Sequence, residues 1–87
     1  MEIDTLKRKI RTFLIANFPL ARSMGDDDGL LGNGVLDSLG ILEVVTFVER
    51  EFGITIVDDE LLPENFQSIS RLATFLQTKL NNSLGAQ

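Results

Sequence analysis

The segment GVLDSLGILEVV, residues 34–45, joins a glycine-rich segment to an apolar run with helical spacing, and it is the most informative part of the chain about the fold. Asp37 and Ser38 stand at the junction, and both residue types are favoured at helix starts because their side-chain oxygens accept otherwise unpaired backbone N–H groups. We therefore predict a helix from about Ser38 to Phe52, ended by Gly53 as its C-terminal cap. Its expected core stripe comprises Leu42, Val45, Val48 and Phe52.

Helical spacing also marks two other long segments. Ile3, Leu6, Ile10, Phe13 and Leu14 predict an amphipathic first helix with a basic outer face, ended before Pro19. Ser68 is expected to cap a last helix whose apolar positions run from Ile69 to Leu80. The remaining helical signal is one short turn near residues 59–62.

The segment between the first two helices, Pro19 to Asp37, contains four glycines and no clear period, which is typical of a loop. It is longer than most connections. Its end should be anchored by apolar side chains, namely Leu30, Leu31, Val35 and Leu36. Its middle, GDDDG at Gly25 to Gly29, has no such anchor, so we expect it to be mobile. A calcium loop is disfavoured there because the spacing differs from that of an EF-hand.

These elements predict an all-α fold, a four-helix bundle of three long helices and one short helix with a long loop after the first. The 87 residues suffice for one small domain, with a core over about residues 3–80 and a frayed tail over 81–87. We expect it to be monomeric.

Composition narrows the classes of function. The chain has neither cysteine nor histidine, so it lacks disulfides, thiol nucleophiles and the commonest general base and zinc ligand. We expect no catalytic residues and no metal site.

The net charge is −5, and residues 37–66 hold eight carboxylates and a single basic residue, Arg50. This acidity disfavours nucleic acid and anionic lipid and favours basic protein surfaces. No segment predicts a membrane span or a signal peptide, so we expect a cytoplasmic protein without membrane insertion.

The junction also carries a family resemblance. Asp37-Ser38-Leu39, the acidic and apolar helix that follows, and DDELLPENFQSISRLATFL at residues 58–76 resemble the acyl carrier and peptidyl carrier protein family, particularly its stand-alone members in secondary metabolism. The resemblance covers roughly residues 30–80. It implies a carrier, not an enzyme, that holds acyl or aminoacyl intermediates as thioesters in fatty-acid, polyketide or nonribosomal-peptide-type biosynthesis.

The same resemblance assigns roles to individual residues. Ser38 would bear 4'-phosphopantetheine, and Asp37 would help to position the phosphopantetheinyl transferase. Partner enzymes would be that transferase, an acyl- or amino-acid-activating ligase, and synthases or transferases with basic docking surfaces. The partner-facing residues would be Leu39, Leu42, Glu43, Thr46 and Glu49. Gly40 and Arg50 depart from the commoner family pattern, and Gly40 costs about 1 kcal/mol in helix propensity relative to alanine.

Two other classes of function stay open from the sequence. A small acidic helical adaptor would use Ser38 only as a helix cap and would bear no prosthetic group. An enzyme working through carboxylates alone would need a pair of them in a cleft, which the sequence does not indicate. The cargo also stays open, since carriers of fatty acyl, polyketide, aminoacyl and peptidyl groups share these motifs.

Overall fold

A computed structural model describes residues 2–32 and 34–85, with residues 82–85 described by their backbone alone. Within this part of the chain all regular structure is helical. The α-helices are α1, Ile3–Asn17; α2, Ser38–Phe52; and α3, Ile69–Gly85. Short 3-10 helices lie at Pro19–Ser23, Asp58–Glu60 and Pro63–Phe66. The predicted bounds of α1 and α2 are confirmed.

The expected short fourth α-helix is not confirmed. The 3-10 turn Asp58–Glu60 overlaps the start of the expected segment, residues 59–62, and a second 3-10 turn, Pro63–Phe66, follows after an interruption at Leu61 and Leu62. Pro63 accounts for the interruption, because proline has no N–H to donate and disfavours helical backbone in the residue before it. The last helix runs beyond its expected end and continues from Asn81 to Gly85. The final two residues of the expected frayed tail, 86–87, lie outside the described residues.

Apolar side chains from all three helices and from both connections form one core. Leu6, Ile10 and Leu14 of α1 pack with α3, the helix that makes most of the contacts to α1. Phe66, between α2 and α3, has no solvent exposure. Ser68 caps α3 as expected: its Oγ accepts a hydrogen bond from Arg71 N at 3.1 Å.

The expected core stripe of α2 is confirmed in part: Val48 is buried, and Val45 and Phe52 are partly buried against the core. The side of α2 that faces the core is formed by Gly40, Val44 and Val48, which are buried. Leu42 lies outside this side, with 55% of its surface exposed. The sequence could not fix the rotation of α2, because apolar residues occur on most of its faces and only the packing of α1 and the loop selects one of them.

The long loop is fastened to the bundle along most of its length. At its end, Leu30 N donates to Gln67 O at 2.8 Å and Leu36 N donates to Leu30 O at 3.0 Å. In its middle, where we expected a mobile segment, the Arg11 guanidinium pairs with Asp26 and donates to Met24 O. Ser70 N of α3 donates to Asp26 O at 2.9 Å. The loop middle is therefore tied to both α1 and α3, and it positions the chain that enters α2.

Among the described helices, none combines the length and the hydropathy that a membrane crossing requires.

Candidate functional site

The start of α2 presents a serine hydroxyl to solvent. Ser38 is the first helical residue and is exposed, whereas Val35 and Leu36 just before it are buried. The two buried residues anchor the backbone, so the exposed hydroxyl is held at a fixed position on the surface.

Asp37, not Ser38, caps this helix. Its backbone is extended, and its Oδ1 accepts a hydrogen bond from Gly40 N at 2.8 Å. Its carbonyl oxygen accepts the first helical hydrogen bond from Ile41 N at 2.9 Å. In the described part of the chain, Ser38 Oγ has no hydrogen-bond partner. The interpretation of Ser38 as merely a helix cap is therefore wrong, because the Asp37 carboxylate caps the helix.

The surroundings of the hydroxyl suit a phosphate ester. The cap satisfies the N–H of Gly40 and leaves those of Ser38 and Leu39 without a described partner. Unpaired N–H groups at the positive end of a helix dipole bind anions such as phosphate. The exposed Oγ and these two donors thus fit a phosphopantetheine group on Ser38.

Close packing explains why position 40 is a glycine, which the sequence alone did not reveal. It is buried, and a Cβ added there would lie 3.2 Å from both Leu36 Cδ2 and Phe18 Cε1. The end of α1 and the loop before Ser38 therefore both lie against the first turn of α2. This close approach compensates for the low helix propensity of glycine and links α1 to the site.

Four of the five expected partner-facing residues lie together. Leu39, Leu42, Glu43 and Thr46 line one side of an open groove of about 780 Å³ between α1 and α2. Leu39 is the most exposed large apolar residue described, at 71%. These residues repeat at helical spacing and so form a continuous stripe that starts beside Ser38. The rest of the groove is lined by Phe13, Asn17, Phe47, Arg50 and Glu51.

Two stacked phenylalanines connect α1 with α2 at this groove. The ring centroids of Phe13 and Phe47 are 4.2 Å apart with an angle of 13° between the rings. Lys9 of α1 pairs with Glu51 of α2 at 3.0 Å, with both side chains about two-fifths exposed. The rings contribute more to holding the helices together than this ion pair, because exposed pairs are worth little in water.

Glu49, the fifth expected partner-facing residue, is not among the residues that line this groove. It is half-buried, and its Oε2 accepts a hydrogen bond from Ile56 N at 2.8 Å. It therefore holds the chain that leaves α2 against the helix. The sequence did not indicate this hydrogen bond, because a contact with a residue beyond Gly53 depends on how the chain turns there.

The Glu60 carboxylate holds the connection between α2 and α3 in place. The sequence did not indicate this role. Lys79 Nζ donates to both carboxylate oxygens of Glu60, at 2.8 and 3.0 Å. This ammonium, together with the N–H of Val57, lowers the pKa of the Glu60 carboxyl below its usual value despite partial burial. The pairing joins the 3-10 turn Asp58–Glu60 to α3, and no local spacing signal indicates it.

Comparisons with known proteins agree on one family. A family model described as a phosphopantetheine attachment site matches residues 8–76. The chain is 37% identical over 51 residues to aminoacyl carrier protein 1 of Bradyrhizobium diazoefficiens. That match covers 59% of this chain and 57% of the relative, so it spans little more than half of the relative's length. The fold resembles the solution structure of a holo acyl carrier protein from Nitrosomonas europaea, with a TM-score of 0.67 and 26% identity, over 91% of this chain and 95% of that one.

Proposed function

Because the chain belongs to the family whose members contain a phosphopantetheine attachment site, we propose that it is a carrier protein with the prosthetic arm joined to Ser38. The observation that supports this assignment is that Asp37 and Ser38 have different roles at the start of α2. Asp37 caps the helix, which leaves the Ser38 hydroxyl exposed and free to form an ester. An adaptor without a prosthetic group is not favoured by the family match.

The residues around Ser38 would hold the phosphate and leave the rest of the arm free to move. The backbone N–H groups of Ser38 and Leu39 would donate to the phosphate oxygens, and the helix dipole would favour the negative charge. When bound, the arm supplies a terminal thiol that holds cargo as a thioester. The chain has no cysteine, so no second thiol competes with it for the cargo. In this proposal the protein carries its cargo and catalyses no reaction itself.

Amino acids are the cargo class that we propose to test first. The relative from Bradyrhizobium diazoefficiens is named an aminoacyl carrier protein, and it is similar to this chain over about half of its own length. An acyl group is the second candidate, supported by the fold neighbour, which is named an acyl carrier protein. An activating ligase would load either cargo. The expected cytoplasmic location and monomeric state remain predictions.

Intact-mass measurement tests the attachment site. After incubation with coenzyme A and a phosphopantetheinyl transferase, the wild-type chain should gain the mass of one phosphopantetheine, and Ser38→Ala should gain none. Ser23→Ala, which alters another exposed serine, should be modified like the wild type. Modification of Ser38→Ala, or no modification of the wild-type chain, would refute the assignment.

We propose that partner enzymes contact Leu39, Leu42, Glu43 and Thr46, the side of the groove nearest Ser38. Carboxylates beside exposed apolar residues suit a basic enzyme surface and act mainly on the rate of encounter. Glu43→Lys should therefore slow modification at low salt and less at high salt. Glu64→Lys makes the same charge change at an exposed position outside α2. Equal slowing by both variants would indicate a general effect of net charge and would contradict docking at this surface.

A further inference from the structure

The groove between α1 and α2 is lined from Leu39 onward, one residue beyond the proposed attachment site. Leu39 follows Ser38 directly, and Leu42 lies one helical turn beyond Ser38 on the same face. Both leucines line the groove and are more than half exposed. From Ser38 to Phe47 the helix rises by about 14 Å. A flexible group on Ser38 could therefore lie along the groove without any change in the helices.

The chemistry of the groove suits a ligand that has both apolar groups and uncharged hydrogen-bonding groups. The stacked rings of Phe13 and Phe47 and the two leucines offer apolar contact. Polar groups stand at its edges: Thr46 Oγ1 donates to Leu42 O, and Asn17 Nδ2 donates to Phe13 O, so each side chain keeps an oxygen that can accept a hydrogen bond.

Arg50, exposed at the far end, adds a cationic donor. The pantetheine part of the arm matches this mixture, because it carries two methyl groups on one carbon, a hydroxyl and two amide groups.

We propose that the α1–α2 groove is the resting site of the pantetheine arm, with its paired methyl groups against Leu42 and Phe47. The inference rests on the proposed attachment to Ser38. The tether supplies the reason for this occupant: a covalently attached group samples a neighbouring groove at a high effective concentration, so weak contacts suffice to bind it. An arm that lies in this surface groove stays within reach of an enzyme that docks on Leu39 and Glu43.

Nuclear magnetic resonance of the modified protein tests this site directly. The arm's paired methyl protons should show Overhauser contacts to Leu42 or Phe47, and the ring currents of the stacked phenylalanines should move their signals away from their positions in free coenzyme A. Leu42→Asn should remove most of that shift, whereas Leu62→Asn, at an exposed leucine between α2 and α3, should leave it unchanged.

Three results would overturn the proposal, and only the third also bears on the attachment to Ser38. Methyl signals at their free coenzyme A positions in a chain of confirmed increased mass would show an arm that rests nowhere on the protein. Overhauser contacts to Leu62 or Ile56 would place it between α2 and α3. Both results would leave attachment to Ser38 intact. A chain that gains no mass would refute the attachment, and this proposal with it.

Discussion

Replacing Glu49 with alanine tests whether this carboxylate holds the segment after α2 in place. The family resemblance placed Glu49 on the partner surface, but in the structure its Oε2 accepts the N–H of Ile56 at 2.8 Å. Ile56 is buried, with 8% of its surface exposed, so its N–H has little access to water once the carboxylate is gone. The substitution should therefore destabilise the fold.

The size of the effect follows from the kind of hydrogen bond. A hydrogen bond to a charged group contributes about 1.5–3 kcal/mol, and the partial exposure of Glu49 reduces the expected loss to about 1–2 kcal/mol. In a domain of this size a loss of that magnitude lowers the melting temperature by roughly 4–16 °C. Glu49→Gln keeps an oxygen acceptor without the charge, so we expect it to lose about half as much, roughly 0.5–1 kcal/mol.

Urea unfolding measured by circular dichroism gives the free energies of unfolding. Glu43→Ala is the matched control, because it removes an exposed glutamate from the same helix and should stay within about 0.5 kcal/mol of the wild type. If Glu49→Ala unfolds with the same free energy as Glu43→Ala, the bond to Ile56 contributes nothing and our interpretation of Glu49 is wrong.

Three further predictions concern the cap, the acidic connection and its local stability. Asp37→Ala should lose about 1 kcal/mol in urea unfolding and Asp37→Asn much less, because asparagine also caps; equal losses would deny that Asp37 caps α2. The lowered pKa of Glu60 means that its pairing with Lys79 stabilises the fold fully above the ordinary glutamate pKa of 4.5 and progressively less as the pH falls through the lower folded-state pKa. The difference in urea midpoint between the wild type and Glu60→Gln should therefore shrink as the pH falls below 4.5, and a constant difference would contradict the pairing. Hydrogen exchange should be faster over residues 53–67 than at the centre of α2, and equal protection would show that the connection is not the weakest part of the fold.

Local signals predicted the helices well because each signal acts within a few residues. Gly53 has φ of 65°, a left-handed conformation that favours glycine, and its N–H donates to Glu49 O at 3.0 Å. The end of α2 was therefore predictable from a single residue type at a single position. Its start was equally clear, but two adjacent residues could each have been the cap. Only the extended backbone at Asp37 assigns that role and leaves Ser38 free.

The all-helical class, the bounds of α1 and α2, and the serine at the start of α2 were predictable from the sequence, because helical period and capping chemistry are encoded locally. Packing between the elements sets which face of α2 is buried and which carboxylates are engaged. Glu60 is paired with Lys79, and Asp26 with Arg11, across separations of 19 and 15 residues. The physical reason is that an ion pair or a buried face needs a partner from another element, and only the folded chain brings that partner within reach.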